Sequence, residues 1–136
     1  MTLFLDIDGV LVPSLPSRVV MLGDDGFMLF SPQSVRKLTE LIALHGVTSM
    51  ILTTSHRFRY TIAEWFEIFM VRGIDLSSIT LLIMGEYADR ATAITLCVEG
   101  LGDGSYLIID DDMQLGKLSD VIKANWIRPV SYKGLE

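Results

Sequence analysis

The stretch Leu3 to Pro13, LFLDIDGVLVP, joins two features that rarely share a strand. Leu3, Phe4, Leu5, Ile7, Val10, Leu11 and Val12 make the near-continuous apolar run of a strand buried on both faces, as in a parallel sheet. Asp6 and Asp8 interrupt it, and Gly9 follows. Carboxylates are almost never fully buried without a partner, so the strand must end where something compensates their charge.

Downstream, short apolar runs alternate with helical patterns. Ser31 before Pro32 is a helix start with proline at the first position; Val35, Leu38, Leu41 and Ile42 recur at helical spacing, and Gly46 suits the end. VTSMILTT at Val47–Thr54 reads as a second strand. TIAEWFEIFMVRG reads as a helix with Ile62, Trp65, Phe66 and Phe69 on one face, closed by Gly73. SITLLIMG predicts a third strand, ADRATAITLCVEG a helix, GSYLIIDDD a fourth strand, MQLGKLSDVIKAN a further helix and WIRPV a short fifth strand. Between the first strand and the first helix, Arg18–Leu22 and Phe27–Phe30 flank GDDG and predict a β-hairpin, with Asp24 and Asp25 as turn residues. Alternation of this kind predicts an α/β domain with a mainly parallel, five-stranded sheet covered on both faces.

With 136 residues the chain is expected to form one domain over 1–136. No apolar stretch approaches the roughly 20 residues of a membrane helix, and no basic segment precedes the first apolar run, so a cytoplasmic setting is expected. The single cysteine, Cys97, cannot form an internal disulfide and reads as an inert helix residue. A net charge of −6 argues against nonspecific binding to nucleic acid or anionic membrane, without excluding a nucleic-acid substrate.

In open α/β sheets ligands bind beyond the carboxyl ends of the strands. Three predicted strands end there on polar groups: Asp6 with Asp8, Thr53 to Ser55, and Asp110 to Asp112. Gathered together, Asp6, Asp8, Asp110 and Asp111 would repel one another unless some take up protons or a hard divalent cation sits among them; Mg²⁺ suits a few carboxylates plus phosphate oxygens. Phosphate is then the natural ligand, bound by the Thr53 hydroxyl and the amides of Thr54 and Ser55.

These motifs resemble those of the haloacid dehalogenase-like (HAD) phosphohydrolases, over nearly the whole chain. DIDG is similar to the family's first motif, MILTT to its second and LIIDDD to its fourth, in the same order. The resemblance implies a Rossmann-like three-layer α/β/α sandwich and a Mg²⁺-dependent phosphatase. It further implies Asp6 as nucleophile forming an aspartyl-phosphate, and Asp8 as acid/base whose backbone carbonyl, rather than its side chain, faces the metal. Asp110 and Asp111 would complete the metal site, and Gly9 would join Thr53, Thr54 and Ser55 around the phosphate. The chain departs from the family in its third motif: no lysine lies between the second and fourth motifs. Arg90 is the expected substitute, with Arg57, Arg72 and Lys117 as alternatives.

Two rival expectations stand beside the phosphatase: a phosphate-binding or regulatory module with little turnover, motivated by the missing lysine, and a polynucleotide end phosphatase. Neither gap where HAD enzymes insert a cap has room for one beyond the hairpin, so an open site is expected, suited to a macromolecular phosphorylated end or to a small phosphate ester bound weakly. His56 is read as a solvated or capping residue outside the catalytic set, Trp65, Phe66 and Phe69 as core, and Asp112 as a cap for the helix after it.

Overall fold

The computed structural model describes residues 1–16, 19–85 and 89–136. Five strands, β1 (Thr2–Leu5), β2 (Ser49–Leu52), β3 (Ile79–Leu81), β4 (Tyr106–Ile109) and β5 (Trp126–Ile127), form one sheet in the order β3-β2-β1-β4-β5, every pair parallel. Four α-helices accompany them: α1 (Pro32–His45), α2 (Ile62–Val71), α3 (Arg90–Gly100) and α4 (Asp120–Lys123).

The apolar run of β1 occupies the middle of the sheet, and its alternation assigns the two faces. Leu3 and Leu5 join Met50, Leu52, Leu107 and Ile109 in a core with Leu38 and Leu41 of α1 and Trp65, Ile68 and Phe69 of α2. Phe4 points the other way and packs with Ile108, with Ala91 and Ile94 of α3, and with Ile122 of α4. The result is the three-layer α/β/α sandwich expected from the sequence. Each buried Leu or Phe in these layers contributes on the order of 1.5–3 kcal/mol by leaving water.

Local signals fix the helix ends that matter for the site. Gly46 adopts the left-handed conformation (φ 61°) that closes α1. Thr61 and Glu64 form a reciprocal capping box that starts α2. Asp89 accepts the Thr92 amide at 2.8 Å and starts α3, so Arg90 falls in its first turn, beside the strand ends.

Three expectations need correction. Where a hairpin was expected, the chain makes a tight turn with one isolated antiparallel bridge, Leu22 to Met28, rather than two strands; Arg18 lies outside the described residues. Asp25 does act as a turn residue, accepting the Phe27 amide at 3.0 Å. The helix expected over MQLGKLSDVIKAN divides into a 3₁₀ turn, Met113–Lys117, and the single-turn α4, because Ser119 caps a fresh start and Leu118 is extended between them. On α2, Ile62 is exposed at the first turn, and Ile68 takes the buried place beside Trp65 and Phe69. Among the described residues, no helix is long and apolar enough to cross a membrane.

Candidate active site

The chain runs from β1 outward to β2 and β3, then returns across the sheet to β4 on the other side of β1. The connections leaving β1 and β4 therefore diverge, and a crevice opens between their carboxyl ends. The register aligns Leu5 with Leu52 and with Ile109. The next residues, Asp6, Thr53 and Asp110, consequently stand side by side at three adjacent tips. The ladder continues through them, with the Asp6 amide on the Ile109 carbonyl at 3.0 Å and the Thr53 amide on that of Leu5 at 2.8 Å.

Asp6 is 4% exposed and Asp110 is fully buried. Every oxygen of Asp110 is used: Oδ2 accepts the Thr53 hydroxyl at 2.9 Å, Oδ1 the Asp112 amide at 3.0 Å, Arg90 Nη1 sits 3.0 Å from both, and Trp126 Nε1 donates to its carbonyl at 2.8 Å. The same Arg90 nitrogen lies 3.7 Å from Asp6 and 3.7 Å from Asp112. Burial opposes its charge, but Asp110, Asp6 and Asp112 together outweigh that and raise its pKa. One guanidinium is too little for the acids around it. Burial, and next the charge of Asp110, push the Asp6 carboxyl up to about 9, and burial likewise raises Asp110.

Asp111 brings a third carboxylate: one oxygen each from Asp6, Asp110 and Asp111 lie within 4.8 Å of one another. Ser131 fixes Asp111 by donating its hydroxyl to Oδ2 at 2.8 Å. Gly9 makes room for it. A Cβ there would stand 1.9 Å from Asp111 Oδ2, and Gly9 has φ 75°, a region that side chains disfavour.

Asp8 has a different environment. Its side chain is 47% exposed, absent from the three-carboxylate cluster, and bonded to His56 Nε2 at 2.8 Å. His56 is seated by edge-to-face contact with Phe27, and its amide donates to the Thr54 hydroxyl at 3.2 Å. Two aspartates two residues apart thus serve opposite surroundings: Asp6 faces burial and other acids, while Asp8 faces water and a histidine.

Over residues 2–136 the chain matches the family described as HAD domain in Swiss Army Knife RNA repair proteins. The chain belongs to this family. No curated protein and no solved structure gives a significant match. Membership makes this a HAD-type hydrolase domain, and its donor set suits a hard divalent cation. Three carboxylate oxygens converge, their negative charge exceeds what Arg90 supplies, and burial with the charge of Asp110 drives the Asp6 pKa upward.

Of the cations considered from the sequence, Arg90 alone reaches Asp6 and Asp110 at the strand tips of this HAD domain. Arg57 is a buried brace, donating to the carbonyls of Leu82 at 2.7 Å and Thr54 at 2.9 Å. Arg72 clamps the turn after β1, gripping both oxygens of Asp25 and the carbonyls of Met28, Phe27 and Ile68. Lys117 pairs with Asp89 at 3.5 Å on the surface. Thr53 and Thr54 are buried and Ser55 is exposed. In this geometry the Thr53 hydroxyl is committed to Asp110; among the described hydrogen bonds, none uses the amides of Thr54 or Ser55, which stay free to donate. Asp112 caps the 3₁₀ turn through the Gln114 amide at 2.9 Å, as its position suggested. Sequence reasoning set His56 aside as a solvated or capping residue and passed over Ser131. His56 directly follows the strand-tip hydroxyls, a signal that was there to use; Ser131 has no local signal, because its partner lies twenty residues upstream.

Proposed function

We propose that this HAD domain is a Mg²⁺-dependent phosphatase acting through an aspartyl-phosphate on Asp6. The observation that carries the reading is the division of labour between Asp6, drawn into a buried acid cluster with Arg90, and Asp8, turned out of that cluster toward His56. Asp6, Asp110 and Asp111, with the backbone carbonyl of Asp8, are the residues to hold Mg²⁺. When bound, the ion neutralises the carboxylates and the phosphoryl oxygens, so that one anion can approach another.

The chain's own groups supply the rest. Asp6 attacks phosphorus, the ester P–O bond breaks, and Asp8 gives its proton to the leaving oxygen. Water then attacks the acyl phosphate, Asp8 takes a proton from it, the bond between Asp6 and phosphorus breaks, and inorganic phosphate leaves. Arg90 and the free amides of Thr54 and Ser55 stabilise the charge on the phosphoryl group, while Thr53 holds Asp110 in place. The substrate class we favour is the phosphorylated end of a polynucleotide, supported by the family's description and by the lack of any cap-sized insertion among the described residues.

Phosphate release from an aryl phosphate and from 3′- and 5′-phosphorylated oligonucleotides, with and without Mg²⁺, tests the reading in the native chain and in Asp6→Asn and Asp8→Asn. Metal-dependent turnover lost in Asp6→Asn is the expected result. Turnover surviving in Asp6→Asn overturns the mechanism, and phosphate binding with no turnover on any ester would make the domain a binding module.

A further inference from the structure

Beside Asp8 the surface opens into a cleft of about 590 Å³, within the usual range for a small-molecule site. Its walls come from the segment after β1 (Val12 to Leu15), from the turn after it (Val19, Val20, Met21, Leu29) and from the start of α1. We propose that this cleft holds the terminal nucleoside of the phosphorylated end, that is, the leaving group of the reaction. The proposal rests on the phosphatase reading and adds where the remainder of the ester goes.

Position argues first. The proton donor must lie on the side from which the leaving oxygen departs, and Asp8 is itself part of the cleft wall. Whatever is attached to that oxygen therefore extends into this space. Chemistry argues second. Among the described residues the lining is mostly apolar, with Phe30 as its aromatic group and Asp8, Ser14 and Ser31 as its polar ones. Such a wall suits an uncharged group with apolar faces and polar edges. A nucleoside has that character, and the family's tie to RNA repair selects it over other aromatic alcohols.

The turn that forms one wall argues third. Val19 is 84% exposed and Met21 68% exposed, so apolar groups are presented to water. Arg72 pins the far side of this turn to α2 by a forked contact with Asp25 at 2.6 and 2.9 Å. A turn clamped on one side and apolar on the other is a preformed wall awaiting a ligand face.

The experiment compares a nucleoside monophosphate with glycerol phosphate, which offers the same phosphoryl group on a small polar alcohol. The nucleotide should show a kcat/KM advantage of about tenfold or more, carried by KM. Val20→Asp and Met21→Asp, both at the solvent edge, should bring that ratio toward one, and Met21→Leu should keep it. The same preference should appear in equilibrium binding to the unreactive Asp6→Asn chain, measured by calorimetry. Equal affinity for the two esters, or a preference untouched by the aspartate variants, overturns the assignment. A binding preference with no hydrolysis of either ester would overturn the phosphatase reading and leave the cleft's assignment standing.

Discussion

Replacing Gly9 by alanine separates the fold from the metal site. The added Cβ would sit 1.9 Å from Asp111 Oδ2 and 2.5 Å from its Cγ, where contacts below 3.0 Å are not tolerated, so Asp111 must retreat by about 1 Å. Its hydroxyl partner, Ser131, holds it at 2.8 Å and would be lost with the movement. A carboxylate side chain yields easily, so most of the stability loss comes from the φ of 75°, about 1–2 kcal/mol, which lowers Tm by roughly 3–10 °C. The functional loss is larger: an active-site group misplaced by about 1 Å typically costs on the order of a hundredfold. Calorimetric Mg²⁺ titration beside thermal unfolding measures both effects, and Asp111→Ala should show the metal defect with a smaller thermal change. Affinity for Mg²⁺ within twofold of the native chain in Gly9→Ala would refute the placing of Asp111 among the metal-holding groups.

Arg90→Leu leaves the fully buried Asp110 without its cation, and should cost about 3 kcal/mol in urea unfolding, with Arg90→Lys intermediate; an unchanged midpoint would mean the contacts at 3.0 Å carry no weight. Asp6 has an ordinary carboxylate pKa of 3.8 when unfolded and about 9 when folded, so the folded chain alone holds that proton between roughly pH 4 and 9. Metal-free stability should therefore be highest at the acid end of this window and fall as pH rises, with Mg²⁺ flattening the decline; urea midpoints at pH 5.5 and 8.5 in chelator that coincide would contradict this. His56→Ala should slow esters with poor leaving groups about ten- to a hundredfold more than activated aryl phosphates, since Asp8 loses the contact at 2.8 Å that holds its carboxyl in place. Equal losses across leaving groups would count against that role.

The sheet and three of the four described helices were legible because their signals are local: apolar runs for the strands, Pro32 and Gly46 for α1, the apolar face of Trp65 and Phe69 with Gly73 for α2. The site's acids were legible because a buried strand cannot end on carboxylates without a reason, and a parallel sheet puts such ends together. What escaped depended on distant partners. Nothing near Ser131 announces Asp111, and the aliphatic residues of the turn after β1 read as half of a hairpin rather than as a wall of a cleft. Arg57 and Arg72 stood as alternatives to Arg90, and the fold shows that these two spend their donors on backbone carbonyls and Asp25.

The two buried acids owe their proximity to backbone pairing. Asp6 and Asp110 are neighbours because Leu5 pairs with Ile109 in the β1–β4 ladder. The hydrogen-bond ladder works as a reading frame: deleting one residue within β1 or β4 would move an aspartate to the opposite face, that of Leu3, Leu5, Leu107 and Ile109. No change of rotamer could restore it. Beyond the residues at the strand tips, Asp8 and Gly9, Thr54 to His56, and Asp111, the connections between strands carry no such constraint. Variants of this domain that differ in loop length away from the strand tips should keep their chemistry, whereas a single-residue slip in either strand ends it, a pattern that deep mutational scanning with insertions and deletions would display as short intolerant windows at the strands and their tips.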